Sequence, residues 1–309
     1  MSDYIRQNGS ETEFSSEKGW IILSPIEQSI KCKIEKAGKP LKDWDINIYR
    51  GVLTGCNDAF IIDGVKREEI LANCKTSDEK KRTAELIRPI LRGRDIKRYG
   101  YDFANLYLIT THNGYTDKNG EKISPIDIKE YPAVKKHFDE VGEELKKKKA
   151  KGKGLFDRDD QGITPYNLRN CAYMEDFSQQ KIVWKRIGSI LRFSYDNKGC
   201  LCLDSTCFAS GKHIEYLVAV LNSKMGHYLL REAPKTGTGD LLISVQAVEP
   251  LKIPILNDES EFYTLVNEIL RKQNNHQKTL DLEEKIDRKI YKLYGLSNEE
   301  IAFIQNDYF

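Results

Sequence analysis

Apolar and polar positions divide the chain into a β-rich body with helices set into it and a helical end. Alternation predicts strands over residues 46–53 and 59–62, joined by a Thr54-Gly55-Cys56-Asn57-Asp58 turn. Residues 65–71 and 77–87 read as short helices, and 87–91 as an apolar helix broken by Pro89. A buried strand is predicted at 106–110, then turns at His112-Asn113-Gly114 and Lys118-Asn119-Gly120, then a mainly helical stretch at 126–149. Residues 181–187 and 191–195 alternate like paired strands, and 201–208 adds another. Residues 213–231 predict one amphipathic helix with Ile214, Leu217, Val218, Leu221, Met225 and Leu229 on its core face. Strands follow at 243–248 and 251–255.

From Asp258 the texture changes. Asp258 with Glu261 reads as a capping box for a helix carrying Phe262, Leu265, Val266 and Ile269. A second helix over 280–293 stops at Gly295, and Ser297 with Glu300 caps a last short one. Upstream, 20–23 and 29–34 carry β-type patterning, and 1–18 is polar and reads as loose. The fold class expected is mixed α+β. A flexible segment (1–18) precedes a twisted β-sheet body with intercalated helices (19–256), and a helical tail (257–309) packs on it.

At 309 residues the chain suits one large or two modest domains. Its 39% hydrophobic and 31% charged residues describe a polar globular protein. No apolar run long enough to span a membrane occurs. The seven cysteines include no Cys-x-x-Cys pair, so they read as small buried hydrophobes rather than zinc ligands, and a reducing cytoplasm is the expected compartment. The formal net charge is only +2, so nucleic-acid binding requires basic residues gathered on one face. Such clustering exists. Arg92, Arg94, Lys97 and Arg98 fall within seven residues, and Lys146 to Lys149 end a predicted helix, where they also complement its dipole.

Around these blocks lie other candidates for contact with DNA. Tyr166, Asn167 and Arg169 mix an aromatic, an amide and a guanidinium, which can stack, read adenine and read guanine. A capped turn with Tyr166 packed inward is the plainer reading of the same loop. Lys185 and Arg186 end a predicted strand. Lys235, Thr236 and Thr238 belong to a glycine-rich loop that lacks the nucleotide-binding spacings but suits a DNA phosphate. Arg92 and Lys185 could equally make salt bridges. Gly93 is expected to let the backbone approach whatever the arginines face.

The run "KIEKAGKPLKDWDINIYRGVLTGCNDAFIID" followed by "IRPILRGRDIKRYGY" resembles the TaqI-like C-terminal specificity domain of type IIG restriction–modification enzymes. The likeness resumes at Lys181-Ile182-Val183-Trp184-Lys185-Arg186, at 216–223 and at 243–254. A helix, Leu221-Asn222-Ser223, a glycine-rich loop and Ile253-Pro254 also resemble the specificity subunits of type I restriction systems. The resemblance implies a target-recognition domain that reads a short double-stranded DNA site beside an adenine-specific methyltransferase, often fused to a nuclease. It implies no cofactor for this chain; S-adenosylmethionine and magnesium would belong to the catalytic modules.

The residues agree with that division of labour. A methyltransferase needs a Pro-Pro-Tyr-type loop and a glycine-rich cofactor loop; the sequence has no Pro-Pro pair and no Phe-x-Gly-x-Gly. Glu283-Glu284-Lys285 has nuclease letters on a predicted helix, which is the wrong scaffold. Two other readings stay open: a protein-interaction module reusing the recognition fold, and a complete enzyme with degenerate motifs.

Overall fold

The computed structural model describes residues 23–148 and 154–306. The expectations for 1–18, for Trp20 to Ile22 and for Lys149 and the link that follows it lie outside the described residues. Eight strands build two four-stranded sheets: β1 (Ile46–Arg50), β2 (Ile61–Asp63), β3 (Ile87–Leu91), β4 (Leu106–Ile109), β5 (Lys181–Lys185), β6 (Phe193–Asp196), β7 (Leu201–Cys202) and β8 (Thr206–Gly211). The first sheet is ordered β6-β5-β8-β1 and is antiparallel throughout. The second is ordered β7-β3-β4-β2, with β7 parallel to β3. A parallel bridge from Val52 to Leu203 joins the two. The class is mixed α+β, as the pattern predicts.

Ile87–Leu91 corrects one expectation: it is a strand and not a Pro-broken helix. Pro89 is tolerated because of its phase in the ladder. Thr110 N–H donates to the Leu86 carbonyl, and the alternation of an antiparallel pair then turns the Pro89 nitrogen away from β4. The residues predicted as a strand at 59–62 split into a helical turn, Asn57–Phe60, and the short β2. Likewise 201–208 is two strands separated by a turn. The core beneath these sheets contains Phe60, Ile90, Leu108, Phe138, Phe177, Val183, Leu201 and Phe208, all fully buried. Cys200 and Cys202 belong to this core and Cys207 is buried as well, and burial pushes the thiols of Cys200 and Cys207 up to about 11.

The chain divides into two compact units. The sheets belong to the one formed by Asp45–Val218 and Ala233–Ala247. The other draws on Met1–Trp44, Ala219–Glu232 and Val248–Phe309. The division is not the sequential one expected, since the C-terminal helices share their unit with an early helix. That helix, Pro25–Ala37, replaces the β-type reading of 29–34: Ser24 and Glu27 form a capping box and Pro25 occupies its first position. Its Ser29 and Lys33 both bond Glu300, and Arg231 pairs with Glu27 at 2.9 Å. The single helix predicted over 213–231 is two, Ile214–Asn222 and Lys224–Leu230, because Ser223 caps the second by accepting from Gly226 N–H. Residues 245–248 are a helical turn rather than part of a strand. Asp258 accepts from Ser260 N–H, and Glu261 pairs with Lys289 and Lys285 instead of closing a capping box. The Ser297–Glu300 box and the stop at Gly295, with φ of 63°, are both present.

Candidate nucleic-acid interface

Where β5 and β8 meet, three separate segments of the chain come together. The segment after β3 carries Arg92, Arg94, Lys97 and Arg98. It forms a 3-10 turn, Gly93–Asp95, and then lies along β6, with Tyr99 N–H donating to the Phe193 carbonyl and Tyr195 N–H to the Tyr99 carbonyl. Gly93 N–H donates to Ser205 Oγ at 3.2 Å, and Lys97 N–H to Ser194 Oγ at 3.2 Å. A Cβ on Gly93 would stand 2.9 Å from Lys185 Cγ, so the stem of Lys185 lies across it. The need for glycine is therefore internal: it makes room for a neighbouring lysine of the same surface.

Lys185 sits opposite Thr206 in the ladder, and Arg50 opposite Cys207 on the other side of β8. Beyond Lys185 the chain continues through Arg186 to Ile187–Gly188, which pairs with Leu241–Leu242. Ile243 N–H donates to the Arg186 carbonyl and Leu242 N–H to the Pro234 carbonyl, which draws in the loop with Lys235, Thr236 and Thr238. Arg192 precedes the Phe193–Trp184 pair, so it falls level with Lys185 as the ladder ends.

The ion-pairing of these cations separates them into two sets. Arg92 is bidentate to Asp95, at 2.8 and 3.1 Å, and Lys97 pairs with Asp102 at 3.2 Å. Arg50 pairs with Asp204 at 3.2 Å. Arg98 lies against the Tyr99 ring. By contrast, the side chains of Arg94, Lys185, Arg186, Arg192 and Lys235 make no hydrogen bond or ion pair with the described residues. Arg186 Nε is even buried without an acceptor, a costly state for a donor unless an outside group relieves it. Thr236 and Thr238 bond one another, and Thr238 reaches Asp240, so their hydroxyls hold the loop. Arg50 and Arg192 were not singled out from the sequence. Alternation across 191–195 places Arg192 one step before a buried phenylalanine, and that was the available signal.

Tyr166, Asn167 and Arg169 belong to a different set of elements. Asn167 is 1% exposed; its amide donates to the carbonyls of His112 and Ile126 and accepts from Thr164. Tyr166 packs among Phe138 and Phe156 and donates to Asp139 at 2.7 Å, and burial with that carboxylate raises its phenol pKa. The plainer reading of this loop, a capped turn with Tyr166 directed inward, is what the structure has. Asn167 has no free edge to offer a base. Only Arg169 is exposed, paired with Asp160 at 3.1 Å. The loop is organised by Arg158, which is 3% exposed and donates to the carbonyls of Leu155, Asp160, Pro165 and Asn167. Its guanidinium lies 4.7 Å over Phe60, and burial pulls its pKa down to about 10.

Residues 88–255 match the model of the TaqI-like C-terminal specificity domain, more than half of the chain. The chain belongs to that family. The matched span opens within β3 and holds every cation of the sheet end except Arg50. Among solved structures, the specificity domain is similar to the type IIL restriction-modification enzyme MmeI in complex with DNA, at 13% identity and a TM-score of 0.58, over 88% of this chain and 36% of that one. It is also similar to the type IIG restriction endonuclease BpuSI, at 13% identity and a TM-score of 0.47, over 92% and 32%. The chain thus spans about a third of the length of either. At such identity the MmeI likeness is one of fold. No curated protein matches. Among the described residues no group of three or more His, Cys, Asp or Glu could hold a metal ion, and no helix is long and apolar enough to cross a membrane.

Proposed function

We infer that this specificity domain reads a short double-stranded DNA site through the cationic end of its first sheet, as one part of a restriction–modification enzyme. The observation that carries the reading is the set of partnerless cations, Arg94, Lys185, Arg186, Arg192 and Lys235, gathered from three segments onto backbone fixed by the sheet. Elsewhere many cations are paired locally, as in Lys135–Asp139 and Arg271–Glu268, and those left without a bond among the described residues are lysines rather than a group with three arginines. Unpaired guanidinium groups on segments anchored to the sheet suit phosphate and guanine-edge contacts. Lys97 and Arg98 extend the phosphate-facing surface. The family membership and the DNA bound to MmeI support the same reading.

In this proposal Lys185, Lys235, Arg192 and Lys97 hold phosphates and set register. Arg94 and Arg186 reach base edges, each bidentate pair contributing about 1–3 kcal/mol of discrimination. Methyl transfer, with S-adenosylmethionine, and cleavage with magnesium where the enzyme cuts, reside in other modules. The test is selection from a randomised duplex pool with this chain. Enrichment of one short motif, with affinity falling steeply as salt rises, is the expected result. Tight binding without enrichment would reduce the domain to a backbone grip. Absence of binding at low salt would favour the protein-interaction reading.

A further inference from the structure

We propose that Ile190 is an apolar wedge which the cationic end of the sheet presses into the base stack of the bound duplex; this rests on the DNA-reading role inferred above. Ile190 stands at the tip of the turn between Ile187–Gly188 and β6 and is 61% exposed. A branched aliphatic side chain there leaves most of its apolar surface in water. The charged residues nearest in the chain are all positive: Arg186 and Arg192 flank the turn, and Lys185 Nζ reaches to 3.5 Å from where a Cβ on Gly188 would be.

Two other exposed apolar residues differ in surroundings. Val65, on the helix Gly64–Ala72, is followed by Lys66 and Arg67, each paired with a glutamate, and Phe103 rests edge-on against Tyr107. Of these three, only Ile190 lies on a turn flanked by cations that make no ion pair with the described residues, which is the setting of a surface that receives a polyanion.

A wedge must also be stiff. Leu191, the next residue, is buried, and Phe193 packs on Trp184 with ring centroids 5.8 Å apart. On the other side of the turn Ile187–Gly188 is paired with Leu241–Leu242. Both feet of the turn are therefore fixed while its tip projects. Apolar side chains held this way part a base step, and the bending that follows brings more phosphate within reach of the surrounding lysines and arginines. The step most easily parted is pyrimidine–purine, so Ile190 gives the domain a preference that no hydrogen bond supplies.

The experiment probes duplexes selected on this chain with permanganate, which attacks unstacked thymines, and diethyl pyrocarbonate, which attacks unstacked purines. Wild-type chain is expected to raise reactivity at one step, the same in every selected duplex. Ile190→Ala removes that signal and weakens binding about tenfold, while the salt dependence of binding stays as it was. Val65→Ala, at a residue still more exposed but outside the surface, changes neither. Salt-dependent binding without an enhanced step, or an enhanced step that survives Ile190→Ala, overturns the wedge and leaves the DNA-reading role standing. Failure of the chain to bind duplex at all takes down both.

Discussion

The sheet end with Arg94, Lys185 and Arg186 and the loop with Tyr166, Asn167 and Arg169 are built from similar letters, and the fold puts them to opposite use. In the loop each polar group is turned inward and matched. Arg158 gathers four carbonyls, Asn167 ties two more, and Tyr166 bonds Asp139. At the sheet end the ladder, with Ser194 and Ser205, holds the backbone, and the side chains of Arg94, Lys185 and Arg186 are left over. Arginines and amides are therefore not evidence of binding by type. Regular structure satisfies its own backbone and so frees its side chains, whereas an irregular loop must use side chains to satisfy the backbone.

The sharpest way to break this contrast is Arg158→Ala. It strands several buried carbonyls and removes the ring contact with Phe60, so a loss of about 3–5 kcal/mol is expected in urea unfolding. Asn167→Ala should lose about 2–3 kcal/mol, with DNA affinity per folded molecule unchanged; weakened affinity at full stability would put Asn167 back among the readers. Arg94→Ala inverts the pattern: stability within about 0.5 kcal/mol of wild type, a loss of about 1–3 kcal/mol in binding, and relaxed preference at one base position. Lys185→Ala should weaken binding to all sequences alike and lower the salt slope by about one.

The smallest effect expected is a pH dependence of the matched interior. His137 Nε2 faces the Ala59 carbonyl at 3.0 Å and must carry the proton there; burial lowers its pKa below the ordinary histidine value of 6.5, as it does for His112. The unfolded chain then binds more protons than the folded one as pH falls through 6.5, so stability declines on that side. Urea midpoints at pH about 7.5 and 5.5 should show the decline, and His137→Gln should reduce it.

Much of this architecture can be read in the letters, and the exceptions have physical causes. Helices such as Gly64–Ala72 and Leu280–Leu293 were legible because their apolar spacing has one period and their ends are marked. Pro25–Ala37 is harder to read although Ser24, Pro25 and Glu27 announce its start, because Ile30 is its one buried residue and the apolar stripe is thin. Pro89 misled because a proline's tolerance in a sheet depends on ladder phase, which only the partner strand sets. At the site, Arg92's pairing was open to a reader, since Asp95 is three residues on. The burial of Asn167 was not, because its acceptors, His112 and Ile126, lie 55 and 41 residues away in the chain.

The arginine segment is fastened to Ser205, Ser194 and Phe193 through its own backbone, and Tyr99 is held there with φ of 67°. A mutation at Arg94 thus changes an outward group without moving the backbone that carries it, and the same holds at Lys185. Such a surface can acquire a new target by single replacements, each leaving a folded intermediate for selection to act on. The capped loop around Arg158 has no such freedom. Over evolutionary time the two regions should diverge in tempo, one drifting with the DNA it meets and the other nearly still.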